Sequence, residues 1–214
     1  MHPKSLLPLL TVLLIAPAAV PLLPTAPVRA QTTTETDATA LLEEADRLYQ
    51  QGLQQFNTSQ FQAALESWQA ALELYQDIGS REEEGDTLNV LGLLFRIAGQ
   101  VPTAIDYHEQ ALAIAREIGN SPEEKLRQRR SEGIALNNLG IAYADLGQYQ
   151  TAIDFYEQYL AIAREIGDRQ GEGNALGNLG IAYRNLGQYQ TAIDFHEQHL
   201  AIAREIGDRQ GEGV

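Results

Sequence analysis

Residues 131–170 and 171–210 are the same forty residues at all but seven positions. A chain that repeats itself at this interval closes its core locally: each unit is one supersecondary piece whose apolar face is covered by its neighbour. The period continues upstream more loosely. Gly52, Gly92, Gly140 and Gly180 open the same pattern, and Ala64, Ala104, Ala152 and Ala192 follow each of them twelve residues later. Four units therefore run through the chain.

Within the unit SEGIALNNLGIAYADLGQYQTAIDFYEQYLAIAREIGDRQ, two stretches have helical period, divided at Leu146-Gly147 and closed at Ile166-Gly167-Asp168. Each unit reads as a helical hairpin. Leu136, Leu139, Gly140 and Tyr143 share a face of the first helix, and Ala152, Ile153, Tyr156, Leu160 and Ala163 a face of the second. Gly140 and Ala152 are small and are expected where the two helices approach most closely.

At these residues the sequence resembles the tetratricopeptide repeat, whose pattern places a large residue, then Leu-Gly, then Tyr on the first helix, and Ala followed by an aromatic on the second. Leu136, Leu139, Gly140, Tyr143, Ala152 and Tyr156 fit it, as do Leu176, Leu179, Gly180, Tyr183 and Ala192. His196 replaces the aromatic, and Tyr159 and His199 stand where the pattern has a second small residue. Unit one departs further, with Gln51 and Gln55 at the Leu and Tyr positions, while Leu48, Gly52, Ala64, Trp68 and Ala71 hold. The unit length is similar to that of kinesin light chains and polarity adaptors. The resemblance implies an all-α fold, a right-handed α-solenoid of antiparallel helix hairpins. The expected units are 39–79, 80–119, 120–167 and 168–207, with 208–214 opening a fifth that is cut short. Eight extra residues precede unit three, and Ser121-Pro122-Glu123-Glu124 carries the chemistry of a capped helix start, so its first helix is expected to be about two turns longer. Ser80-x-x-Glu83 gives the same signal before unit two.

The N-terminal thirty residues differ in kind. Lys4, an apolar stretch from Leu6 to Val20, and Val28-x-Ala30 resemble a secretory signal peptide cleaved after Ala30, which implies export to a periplasmic or extracellular space. Pro8, Pro17, Pro21, Pro24 and Pro27 oppose a long membrane helix, and an anchor left uncleaved is the alternative. Residues 31–38 read as a flexible linker. Without that leader the chain carries thirteen basic against 29 acidic residues, so nucleic acid is not an expected partner. The absence of cysteine excludes disulfides, thiolate metal sites and a cysteine nucleophile.

Candidate chemistry is sparse. His196 and His199 are three apart on a helix, yet unit three has Tyr156 and Tyr159 there, and tyrosine substitutes for a packing histidine better than for a metal ligand. Gly171-x-Gly173-x-x-x-Gly177 has the wrong spacing for a nucleotide loop, and Asp154 and Glu157 lie on a solvent face with nothing to separate their pKa values. No cofactor, metal or catalytic residue is expected. Asn57-Thr58-Ser59 is either a glycosylation sequon or the turn between the helices of unit one, with the turn favoured. Lys125, Arg127, Arg129 and Arg130 form a basic cluster that is either a solvated helix face or a patch for an acidic partner.

The seven differences between units three and four include Ile134/Asn174, Asn137/Gly177, Ala144/Arg184 and Asp145/Asn185, which share one side of the first helix. In the family this side lines a concave groove that holds extended peptides or partner helices. Asn89, Arg96, Asn137, Asn138, Asn178, Arg184 and Asn185 are the polar residues expected there, unless these positions only drift. The reading is a non-catalytic scaffold for a protein or peptide partner. The alternative is the recognition arm of a longer signalling or caspase-like protease, since similar bacterial arrays precede a CHAT domain. The final helix lacks a polar capping helix after it, so Ile202 and Ile206 are expected to be uncovered, either because the array continues or because copies pair end to end.

Overall fold

The computed structural model describes residues 35–117 and 121–207. The leader expected over residues 1–30, the first part of the linker and the opening of a fifth unit lie outside the described residues. The remainder is helical throughout: α1 (Glu35–Asn57), α2 (Phe61–Ile78), α3 (Arg81–Ile97), α4 (Val101–Glu117), α5 (Pro122–Asp145), α6 (Tyr149–Ile166), α7 (Arg169–Asn185) and α8 (Tyr189–Ile206). They pair as four antiparallel hairpins, each second helix packs on the first helix of the next hairpin, and successive first helices α3, α5 and α7 touch. This is an α-solenoid. α1 takes in residues 35–38 of the segment expected to be linker, where Asp37 favours the positive end of the helix dipole and Ala38 and Ala40 are strong helix formers.

The hairpins close by the same device. Gly99, Gly147 and Gly187 adopt φ of 77, 72 and 74°, while unit one seats Ser59 at φ 61° in their place. Asn57 ends α1 and the Thr58 hydroxyl donates to the carbonyls of Gln54 and Gln55, so the sequon residues form the turn. Between hairpins one and two, the Ser80 amide donates to the carbonyl of Tyr75 and closes the end of α2. That commitment holds Ser80 at ψ 79°, and its hydroxyl makes no cap bond, contrary to the sequence signal. Asp168 has a similar backbone, and its longer side chain reaches the Gly171 amide at 2.9 Å. Ser121 at ψ 161° forms the full capping box with Glu124, and α5 extends to 24 residues against 17 for α3 and α7.

The glycine at one shared register of each first helix faces a ring of the second. A Cβ built on Gly140 would lie 2.6 Å from Tyr156 Cδ1, and one on Gly180 2.6 Å from His196 Cε1. Gly92 faces the ring of His108 and Gly52 that of Trp68 in the same way. The glycine is a seat for a ring of the second helix. An aromatic pair stacks inside each of the three later hairpins, Phe95 on Tyr107, Tyr143 on Phe155 and Tyr183 on Phe195, with centroids 5.2–5.3 Å apart. Unit one replaces that pair with a hydrogen bond from Ser67 Oγ to Gln55 Oε1 at 2.8 Å, which accounts for the departure of Gln55 from the pattern.

Each junction between later hairpins is clamped by a recurring charge cluster. Glu132 accepts from Arg116 of α4 at 2.9 Å and from Arg129 at 2.6 Å. Glu172 accepts from Arg164 at 2.8 Å and from Arg169. Arg129 and Arg169 also pair with Glu165 and Glu205 on their own second helices. At the first junction Glu84 accepts from Gln76 at 3.1 Å and Arg81 at 2.6 Å, and Arg81 pairs in turn with Glu117.

Candidate functional site

The wall formed by the first helices carries the candidate site. Helical period places residues forty apart in units one and two, or three and four, at one register. Tyr49, Asn89, Asn137 and Gly177 share a register; Gln50, Val90, Asn138 and Asn178 share the next. The asparagines bond across helices: Asn138 Nδ2 donates to Asn89 Oδ1 at 3.5 Å, and Asn178 Nδ2 to Asn137 Oδ1 at 2.9 Å. Asn137 and Asn178 remain half-buried and line a cavity of about 270 Å³ with Gly173, Asn174, Gly177, Ile181 and His199. That bond leaves the Nδ2 of Asn137 and the Oδ1 of Asn178 without a side-chain partner at the cavity lining, and an extended backbone needs both donors and acceptors.

Asn89 is placed differently from the open groove the sequence predicts. It is buried, and its Oδ1 lies 3.2 Å from His108 Nδ1. Because an amide oxygen only accepts, the ring proton is on Nδ1, and Nε2 is left buried with no partner. Burial, and secondarily Arg96, lowers the His108 pKa to about 4, so the ring is neutral. Arg96 is taken by Asp145 at 3.0 Å across α3 and α5. Arg184 and Asn185 are exposed at the end of α7. His196 has a lowered pKa, first from burial and then from Arg184 and His199.

A second cavity, of about 440 Å³, opens at the other end of the same wall. Asp46, Tyr49 and Gln50 of α1, Tyr75 of α2, and Glu83 and Asp86 of α3 line it. Tyr75 donates its hydroxyl to Asp46 Oδ1 at 2.7 Å, fixing that carboxylate. Asp86 keeps contact with solvent, and partial desolvation by the protein around it, followed by repulsion from Glu82 and Glu83, raises its pKa to about 6. Sequence reasoning missed this end. Asp46 and Asp86 are forty residues apart and so share one register, but units three and four hold Ile134 and Asn174 there, and a comparison of those two units alone conceals the carboxylates.

The basic cluster is dispersed. Arg129 belongs to the junction clamp with Glu132 and Glu165, Arg127 lies 3.4 Å from Glu82, and Lys125 and Arg130 are exposed. Among the described residues no group of three or more His, Cys, Asp or Glu is arranged to hold a metal, and no helix is long and apolar enough to cross a membrane.

A family model described as Tetratricopeptide repeat matches residues 44–117 and 131–205. The chain belongs to the tetratricopeptide repeat family. Its right-handed solenoid is a protein–protein interaction scaffold. No curated protein matches this sequence. Among solved structures, BtubC (BKLC) from P. vanneervenii superposes with a TM-score of 0.68 at 20% identity, over 84% of this chain and 70% of that one. Aspartyl phosphate phosphatase F from Bacillus subtilis gives 0.72 at 19% identity over 82% of this chain, which spans only 45% of the phosphatase. The TPR domain of Arabidopsis FLU gives 0.52 at 22% identity, over 58% of this chain and 98% of that domain. At these identities the likeness is one of fold.

Proposed function

We propose that this tetratricopeptide repeat protein is a non-catalytic scaffold that holds an extended peptide segment of a partner protein along its first-helix wall. The cross-helix asparagine pairs carry this reading. Asn137 and Asn178 offer amide groups beside a cavity, while the carboxylates at the α1–α3 end select a peptide with a Lys or Arg side chain there. The leader-like residues 1–30 support an exported protein, and N-terminal sequencing of the secreted form tests that part.

The groove is tested by selecting peptides from a random displayed library on the intact chain, then measuring their affinity for an Asn138→Ala/Asn178→Ala variant. Affinity is expected to fall about tenfold or more, as loss of two hydrogen bonds of roughly 1 kcal/mol each implies, with helicity unchanged. Peptides that bind the double variant as well as the parent would rule out this wall. The same groove serves the alternative of a recognition arm on a longer caspase-like protease, and the coding sequence beyond Val214 decides between the two.

A further inference from the structure

Ile202, expected to lie uncovered on the last helix, is only 5% exposed because it packs against Gly173 of its own hairpin, while Ile206 is exposed. The wall of first helices, where the sequence predicts polar residues, carries apolar surface of its own. Leu53, Leu93, Ile141 and Ile181 stand at one register of α1, α3, α5 and α7. Ile181 is 42% exposed and lines the cavity beside Asn137 and Asn178, which gives the side of the helix on which this register lies. Leu53, Leu93 and Ile141 are half-buried. Hairpins two and three each have a hairpin packed on both sides, so the exposure of Leu93 and Ile141 belongs to the interior of the array. A comparison of units three and four by their differences hides this row, because Ile141 and Ile181 are identical.

The row sets one aliphatic side chain on each first helix, and packed helices stand about 8–10 Å apart. One turn back along α5 and α7 lie the Nδ2 of Asn137 and the Oδ1 of Asn178, without side-chain partners. They suit a backbone whose own donors and acceptors are open, which an extended segment has and a helix does not. A β-strand turns every second side chain to one side, at about 6.7 Å, and falls out of step with the row. A polyproline II segment turns every third residue to one side, at about 9.3 Å, and keeps step with it. The charge of the wall is uneven as well. Asp46, Glu83 and Asp86 line the cavity at the α1–α3 end, whose Tyr49 and Gln50 lie one turn from Leu53, whereas no carboxylate lines the cavity between α5 and α7.

Resting on the peptide reading above, we propose that the wall recognises a polyproline II segment of the partner protein. Its apolar residues fall at every third position, over the row from Leu53 to Ile181, and a Lys or Arg stands at the end that meets Asp46, Glu83 and Asp86. The spacing of the first helices selects the period of three, and the carboxylates select the charged end.

The probes are two fluorescent synthetic peptides, each of three Leu-Pro-Ala triplets with a lysine at the N-terminal end in one and the C-terminal end in the other. They are titrated into the full chain by anisotropy, and saturable binding of one of them is expected. Leu93→Gln/Ile141→Gln should weaken it about tenfold, since glutamine keeps the helix and removes the apolar contact. Ile181→Gln, at an exposed site outside the core, should weaken it about threefold. Circular dichroism checks that both variants keep their helicity. Absence of binding by both probes, or binding indifferent to all three glutamines, overturns the proposal. So does equal binding of a peptide of the same composition with its leucines at alternate positions, or tighter binding of a helix-forming peptide with leucines at heptad spacing. Library-selected peptides that still need Asn138 and Asn178 would then show that the groove itself stands and only the period of three has failed.

Discussion

Replacing Gly140 by alanine pits two effects of opposite sign against each other. Alanine inside a helix is favoured over glycine by about 1 kcal/mol, so a glycine kept only by accident would be improved by the change. Here the new methyl would lie 2.6 Å from Tyr156 Cδ1 and 3.0 Å from Cζ, and Tyr156 is only 3% exposed. The ring must move by roughly 1 Å in a close-packed interior, where overpacking costs about 1–3 kcal/mol. Contacts this far inside van der Waals distance call for the upper part of that range, about 2–3 kcal/mol, and the net expectation is destabilisation of about 1–2 kcal/mol. Urea unfolding followed by far-UV circular dichroism measures it, with a nearest-neighbour repeat model in place of a two-state fit. The cause is isolated by repeating the substitution in a Tyr156→Leu background, where the ring is gone and the sign should reverse to a gain of about 0.5–1 kcal/mol. A Gly140→Ala chain as stable as the parent, or more so, would refute the account of the glycine as a ring seat.

Two further outcomes follow from the junctions and the buried histidine. Glu172→Ala removes the carboxylate shared by Arg164 and Arg169 at a site where its side chain is 10% exposed, and should cost about 1–3 kcal/mol in the same urea assay. His108 titrates at about 4 in the fold against an ordinary 6.5. The unfolded chain therefore binds its proton first: the stability this neutral ring contributes is complete above about pH 6.5 and declines as pH falls toward 4, by up to about 3 kcal/mol. His108→Tyr, the residue unit three uses at that register, should remove this part of the acid sensitivity. Equal slopes of urea midpoint between pH 7 and pH 4.5 in parent and variant would contradict it.

The repetition alone determined that the chain forms helical hairpins, where they turn and which face of each helix is apolar, because these follow from local period and from glycine at positive φ. The capped start of α5 was equally legible in Ser121-Pro122-Glu123-Glu124. Local period says which residues share a face but not what meets them. Only the packing of helix on helix, within a hairpin and across its junctions, decided that Gly140 seats Tyr156, that Asn89 is buried on His108, and that Arg129 is spent on a junction. The acidic cavity likewise needs Tyr75 from one helix and Asp46 and Asp86 from two others, and the rotation between successive hairpins that gathers them is a sum of many small contacts no single segment encodes.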